Sequence, residues 1–247
     1  FAEPIYALES EVNLEFNSPT FRFAYSSLVT PHSIYEYNFS TGEKVLLKQQ
    51  EIPSSYDSKE YESQRLWAKA EDGTQIPISL VYKKPRSENE PRPLLLYGYG
   101  AYEHVIEGSF STTRLALLER GMIYAIAHVR GGGEGGREWY EQGKFLNKKN
   151  TFTDFIACAE HLINNNFTKA DQLVAVGRSA GGLLMGAIAN LRPELFKTIV
   201  ADVPFVDTLS TMLDPSLPLT TLEYGEWGNP EEKKFYDYIA SYSPYDN

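Results

Sequence analysis

The chain has 247 residues, 42% of them hydrophobic, which is enough to bury a sizeable core and permits one large domain or two small ones. Its formal charge of −10 and isoelectric point near 5.0 argue against a nucleic-acid surface or a polybasic membrane anchor, because both need clustered Lys and Arg. A cationic substrate suits it better. The single cysteine, Cys158, sits in an apolar helical pattern and reads as an inert buried thiol, which points to a reducing, cytoplasmic setting. No stretch reaches the ~18 apolar residues of a spanning helix, and Phe1–Ser10 lack the charged and apolar regions of a signal peptide.

In chain order the first rhythm is β-like. Asn13–Phe16, Arg22–Ser27, Ser33–Asn38 and Glu43–Leu47 alternate in polarity between turn residues, which predicts four short strands resembling one propeller blade. A lone blade cannot bury both its faces, so this reading implies neighbouring blades; a small meander packed on the next domain is the alternative. After the polar stretch Pro53–Gln64 the pattern changes. Strands are predicted at Arg65–Ala70, Ile76–Lys83, Pro93–Tyr97, Met122–His128, Leu173–Val176 and Thr198–Ala201, and helices at Thr112–Arg120, Thr151–Asn164 and Ala180–Asn190. Strands alternating with helices predict an α/β fold with a mostly parallel sheet, in the order of an α/β-hydrolase. The expected domains are residues 1–60, the end of a β-propeller, and 61–247, the N-terminal part of an α/β-hydrolase domain.

Gly177-Arg178-Ser179-Ala180-Gly181 follows the apolar run Leu173–Val176 and precedes the helical Leu183–Ile188, so this G-x-S-x-G has the strand and helix that a nucleophile elbow requires. Ser179 is the candidate nucleophile. The backbone N–H of Ala180, at the helix start, is placed to donate to an oxyanion. A second donor could come from the loop Tyr97-Gly98-Tyr99-Gly100-Ala101-Tyr102, where related folds carry a histidine-glycine motif. By spacing alone the Tyr99 phenol serves that role as readily as it forms a packed aromatic corner.

Gly131, Gly133 and Gly136 also spell G-x-G-x-x-G, with Asp154 18 residues beyond, the pattern of a dinucleotide site. The segment Arg137–Gly143 is short for the helix such a site needs. The loop reads better as a close backbone passage, with Arg130 and Glu134 fixed in ion pairs.

The acid and base of the triad should follow the serine, yet His32, His104, His128 and His161 all precede it. Without a base the serine is a poor nucleophile, so the chain alone is expected to be inactive. The economical explanation is truncation, with the Asp and His beyond Asn247 and the remaining blades before Phe1.

Tyr97–Gly100, Arg130–Glu134, Asn150–Phe155, Gly177–Gly182 and Ser241–Asn247 together resemble the prolyl oligopeptidase family, and within it the oligopeptidase B branch, over nearly the whole chain. The resemblance implies a propeller capping a hydrolase domain and cleavage of short peptides after Arg or Lys, with no cofactor or metal. It makes Ser179 the nucleophile, and Tyr99 with the Ala180 amide the oxyanion donors. Pro218–Pro230 is similar to the segment in which that branch places two glutamates, two positions apart, against a basic P1 side chain. Only Glu223 matches; the second position is Gly225, and Glu226 could substitute if the loop bends differently. A further acidic pair is matched by Glu107 but not by Ser109, which predicts a relaxed basic preference. The competing readings are an esterase or lipase on the same fold, and a non-catalytic nucleotide- or peptide-binding module.

Overall fold

The computed structural model describes residues 1–53, 55–87 and 90–247. Ser54, Glu88 and Asn89, within the two polar connections Pro53–Gln64 and Lys84–Arg92, lie outside the described residues. The chain divides into two compact units, residues 1–65, 79–86 and 107–123 in one, and 66–78, 87–106 and 124–247 in the other.

The first unit is built on a four-stranded antiparallel sheet, β1 (Tyr6–Ser10), β2 (Thr20–Ser27), β3 (Ser33–Asn38) and β4 (Lys44–Gln49), in sequential order. Strands β2, β3 and β4 fall where the alternation puts them. The first strand does not. Asn13–Phe16 is not a strand, because the Asn13 side chain takes over the ladder: it accepts from the Arg22 N–H at 2.8 Å and donates to the Arg22 carbonyl at 2.9 Å. The chain turns away there, leaving Leu14 89% and Phe16 100% exposed, and the strand pairing with β2 is the preceding Tyr6–Ser10. The middle of this sheet is buried through Ala24 and Tyr25, whereas Val45, Leu46 and Leu47 on β4 remain exposed. Within the same unit the Phe110 N–H donates to Ser26 Oγ at 3.0 Å, and Gly108 lies against Ile5 with no room for a Cβ. The helix α1 (Thr112–Leu118) also belongs here.

A six-stranded sheet follows, made of β5 (Tyr61–Lys69), β6 (Gln75–Lys83), β7 (Leu94–Tyr97), β8 (Ile123–Ala127), β9 (Leu173–Arg178) and β10 (Thr198–Asp202) in the order β10-β9-β7-β8-β6-β5. All six predicted strands exist; β5 starts four residues before its expected place, inside the stretch read as polar connection. The pairs β7–β9 and β9–β10 are parallel. Strand β7 has β8 on one side and β9 on the other, so the chain leaves in opposite directions from neighbouring strands. Loops diverge at such a switch point and leave a cleft at the carboxyl ends of the strands.

The second unit also contains α2 (Arg137–Glu141), α3 (Lys149–Asn164), α4 (Ala180–Leu191), α5 (Thr208–Leu213), α6 (Thr220–Trp227) and α7 (Lys233–Ala240), with α4 packed on β9 and β10. Its core is Leu94 and Leu96 of β7, Leu173 and Ala175 of β9, Phe152 and Phe155 of α3, and Leu183, Leu184 and Ile188 of α4, all fully buried. The alternation along β7 and β9 and the three-to-four spacing along α3 and α4 supply these faces. Cys158, on α3, is buried, and burial pushes its thiol pKa well up, as an inert core residue requires. Among the described residues no helix is long and apolar enough to cross a membrane.

Candidate active site

Strand β9 runs directly into α4 through one residue. Ser179 holds φ 56° and ψ −116°, a region costly for any side-chain-bearing residue, and this sharp reversal lifts it clear of the sheet into an exposed position. Its neighbours make the reversal possible. A Cβ at Gly177 would lie 2.2 Å from the Gly181 carbonyl oxygen, and one at Gly181 would lie 2.6 Å from that of Gly98. The Ser179 backbone is pinned from both sides, its N–H donating to the Asp202 carbonyl at 2.9 Å and its own carbonyl accepting from Phe205 at 3.1 Å. The Ser179 hydroxyl has no hydrogen-bond partner among the described residues.

Ala180 opens α4, so its N–H has no carbonyl one turn back and is available to a ligand. The Tyr99 loop leaves the adjacent strand β7, and Gly181 packs against it, its Cβ position 3.3 Å from the Tyr99 Cα. The half-buried Tyr99 ring meets His104 edge-on at 5.3 Å and Tyr102 at 6.4 Å between centroids. Burial first, then the carboxylates of Glu226 and Glu223, push the Tyr99 phenol above its ordinary range, so it stays a protonated donor. Its hydroxyl has no hydrogen-bond partner among the described residues.

In front of the serine is a cavity of about 300 Å³ whose lining includes Ser179, Ala180, Tyr102, Phe205, Met212 and Glu223. Three of the sequence-predicted residues, Ser179, Ala180 and Glu223, therefore share one cavity. Glu223 projects from α6, where its Oε2 accepts from the Tyr102 hydroxyl at 2.7 Å and from Trp227 Nε1 at 2.6 Å. Gly225, two positions on, sits about 200° around the helix from Glu223. Glu226 does not substitute for it. Its carboxylate is buried and already occupied, accepting from the Tyr102 N–H at 3.0 Å and from the Tyr140 hydroxyl at 2.5 Å. Glu107 is exposed and without an ion pair among the described residues; it belongs to the first unit.

The glycine-rich loop after β8 is a packing device. Cβ atoms at Gly131, Gly132 and Gly133 would strike the Gly100 carbonyl oxygen, the Glu134 side chain and the Glu103 carbonyl oxygen at 2.2, 2.3 and 2.3 Å. The loop is thus filled by the Tyr99 segment, where a dinucleotide site would hold pyrophosphate. A helix does open at Gly136, but α2 has only five residues. Asp154, the residue that would face a ribose, accepts from Arg130 through its backbone N–H, Nε and Nη2 at 3.0, 2.8 and 2.6 Å. Arg130 also meets Asp72 at 2.6 Å, so its expected ion pairing forms, and Glu134 Oε1 lies 3.2 Å from His128 Nδ1. Among the described residues no cluster of His, Cys, Asp or Glu could hold a metal.

Two contributors escaped sequence reasoning. Lys148, next to Lys149 in the polar stretch Asn147–Asn150, is 1% exposed and donates to the carbonyls of Gly100 and Gly143. Complete burial pushes its pKa down to about 8 against the opposing pull of Glu226. Tyr102, whose N–H and hydroxyl reach Glu226 and Glu223, gave no signal beyond being the third tyrosine of its loop.

The family model of the prolyl oligopeptidase family matches residues 108–247. This chain belongs to the prolyl oligopeptidase family. The model of that family's N-terminal β-propeller domain matches residues 1–50, which identifies the four-stranded sheet as propeller, and the six-stranded sheet belongs to the α/β-hydrolase part of the family fold. The chain is 50% identical over 246 residues to dipeptidyl aminopeptidase BI of Pseudoxanthomonas mexicana, covering 99% of this chain and 34% of the relative. It is 47% identical to protease 2 of Moraxella lacunata, covering 99% and 36%. Oligopeptidase B from Trypanosoma brucei, solved with covalently bound antipain, superposes with a TM-score of 0.94 at 51% identity, covering 100% of this chain and 35% of that one. The Leishmania major oligopeptidase B gives 0.93 at 50%, again over 100% and 35%. The chain spans about a third of the length of the curated relatives it matches.

Proposed function

We propose that the protein containing this chain is a serine oligopeptidase that cleaves short peptides after Arg or Lys through an acyl-enzyme. Residues 1–60 are the end of its propeller and 61–247 the first part of its peptidase domain. The single observation that carries the reading is the strained, exposed Ser179 at the β9–α4 turn, facing a cavity walled on one side by the Glu223 carboxylate.

In this mechanism the Ser179 Oγ attacks the scissile carbonyl carbon, and the carbonyl π electrons move onto oxygen. The oxyanion accepts from the Ala180 N–H and the Tyr99 hydroxyl, neither of which has a hydrogen-bond partner among the described residues. Collapse expels the amine, which leaves with the proton that the serine gave up to the base, and forms an ester on Ser179, which water then hydrolyses to the free acid and serine. No described residue hydrogen-bonds the Ser179 hydroxyl, so none of them stands as the base that takes its proton; His128 is engaged by Glu134 and His104 lies against Tyr99. The names of the relatives support a peptidase over an esterase. Of the carboxylates assigned to basic recognition, Glu223 lines the cavity and is taken as the P1 anchor, and Glu107 as a second-subsite contact.

The test is hydrolysis of matched fluorogenic peptides ending in Arg, Lys, Pro or norleucine by the complete protein and its Ser179→Ala variant. Cleavage after Arg and Lys that disappears in the variant supports the reading. Serine-dependent hydrolysis of simple esters with no peptide cleavage overturns it in favour of an esterase.

A further inference from the structure

The turn that carries Tyr99 is held in a conformation its own residues disfavour. Gly100, Tyr102 and Glu103 take φ of 73°, 59° and 57°. Left-handed backbone is free for glycine and unfavourable for the other two, and it persists only where surrounding groups enforce it. Lys148 grips the Gly100 carbonyl, and the Glu103 N–H donates to the Gly131 carbonyl at 3.2 Å. Thr151 Oγ1 also donates to the Gly100 carbonyl at 3.4 Å and Arg137 pairs with Glu103 at 2.8 Å, and the hold on Tyr102 N–H is Glu226. With 4% exposure it spends one carboxylate oxygen on the Tyr102 N–H and the other on the Tyr140 hydroxyl, which accepts in turn from Lys144 at 3.2 Å.

Glu226 stands three residues after Glu223 on α6, so both project from one side of the same helix. Glu223 reaches the cavity and the Tyr102 hydroxyl, while Glu226 reaches the Tyr102 amide. One rigid element thus fixes both the wall of the cavity and the turn that bears the oxyanion donor.

We propose that Glu226 is a positioning residue: by holding the Tyr102 amide it sets where the Tyr99 hydroxyl sits relative to Ser179, and acts on the transition state through Tyr99 without touching substrate. This rests on the oligopeptidase reading above. A carboxylate accepts from both partners. A carboxamide still accepts from the Tyr102 N–H, because the Tyr140 hydroxyl can accept from its NH₂, whereas an amide N–H can only donate. A thioether does neither, and an aspartate draws the carboxylate back by one methylene.

The experiment compares Glu226→Met, Glu226→Asp and Glu226→Gln in the complete protein, each alone and combined with Tyr99→Phe, using an Arg-ended coumarin peptide. Glu226→Met and Glu226→Asp are expected to lower kcat about 10²-fold with KM within about twofold, because a sub-ångström to ångström misplacement of a donor has effects of that size. Glu226→Gln recovers most of the activity. In the Tyr99→Phe background the Glu226 substitutions add less than about threefold, since the two residues act through one interaction. Should the methionine variant fail to fold, the aspartate and glutamine pair carries the test. Full additivity with Tyr99→Phe, or equal kcat for Glu226→Asp and Glu226→Gln, overturns the proposal. If Tyr99→Phe itself leaves kcat unchanged, the assignment of Tyr99 fails instead, and this inference with it.

Discussion

Replacing Glu223 by Gln tests the basic preference at the atom where it would arise. Its Oε2 is taken by Tyr102 and Trp227, while Oε1 has no partner among the described residues, so an incoming guanidinium or ammonium meets one free oxygen. A single charge-assisted hydrogen bond is worth about 1.5–3 kcal/mol. At about 1.36 kcal/mol per decade, that is roughly a 10- to 150-fold preference for Arg over an uncharged side chain of similar length. The carboxamide oxygen can keep accepting from Tyr102 and Trp227, so the wall stays in place. Its NH₂ then faces the substrate's own donors. The loss should fall on KM for Arg peptides, because the bond exists in both ground and transition states. The assay is kcat/KM for paired peptides with Arg or norleucine before the scissile bond, in wild type and Glu223→Gln. A change of less than threefold in the Arg-to-norleucine ratio would refute the assignment. So would an equal loss on both peptides, which would mean the wall had collapsed.

Gly225→Glu restores the carboxylate at the second position of the presumed pair, and a Cβ there meets nothing within 4 Å. Because that position lies on the far side of α6 from Glu223, the Arg-to-norleucine ratio is expected to stay within about twofold, and a tenfold rise would show that the helix rearranges around substrate. Gly177→Ala drives a methyl to 2.2 Å from the Gly181 carbonyl oxygen, so the Ser179 turn must open. Activity should fall more than about 10²-fold while far-ultraviolet circular dichroism is retained; activity within threefold of wild type would contradict the close-approach argument. Asp154→Ala removes three hydrogen bonds from the buried Arg130 and leaves it only the half-exposed Asp72. Breaking such a pair costs about 3–5 kcal/mol, visible as a drop of several degrees in thermal midpoint, and an unchanged midpoint would show that Asp72 suffices.

The parts of this molecule that were legible in its sequence are those whose signals are local. The elbow was readable because Gly177, Ser179 and Gly181 answer a steric demand met within five residues, between a strand and a helix each long enough to show its period. The first blade strand was misplaced for an equally local reason. Asn13–Phe16 alternates as a strand should, but the Asn13 amide closes the ladder against Arg22 with its side chain, and alternation does not register side chains that imitate backbone. Helices α5, α6 and α7 were not foreseen, since six to eight residues give little more than two turns in which to see a period.

The acidic residues of α6 mark where sequence reading stops. Three positions apart on a helix, Glu223 and Glu226 were bound to share a side, and nothing within the helix says which faces a cavity and which faces protein. That is decided by Tyr102, more than a hundred residues earlier, whose left-handed backbone offers its N–H to one and its hydroxyl to the other. Both carboxylate oxygens of Glu226 are engaged, leaving neither for a cation, whereas Glu223 keeps Oε1 without a partner among the described residues. Under the two proposals made above, the same residue type three positions apart divides into a substrate contact and a strut, and only the long-range fold assigns which is which.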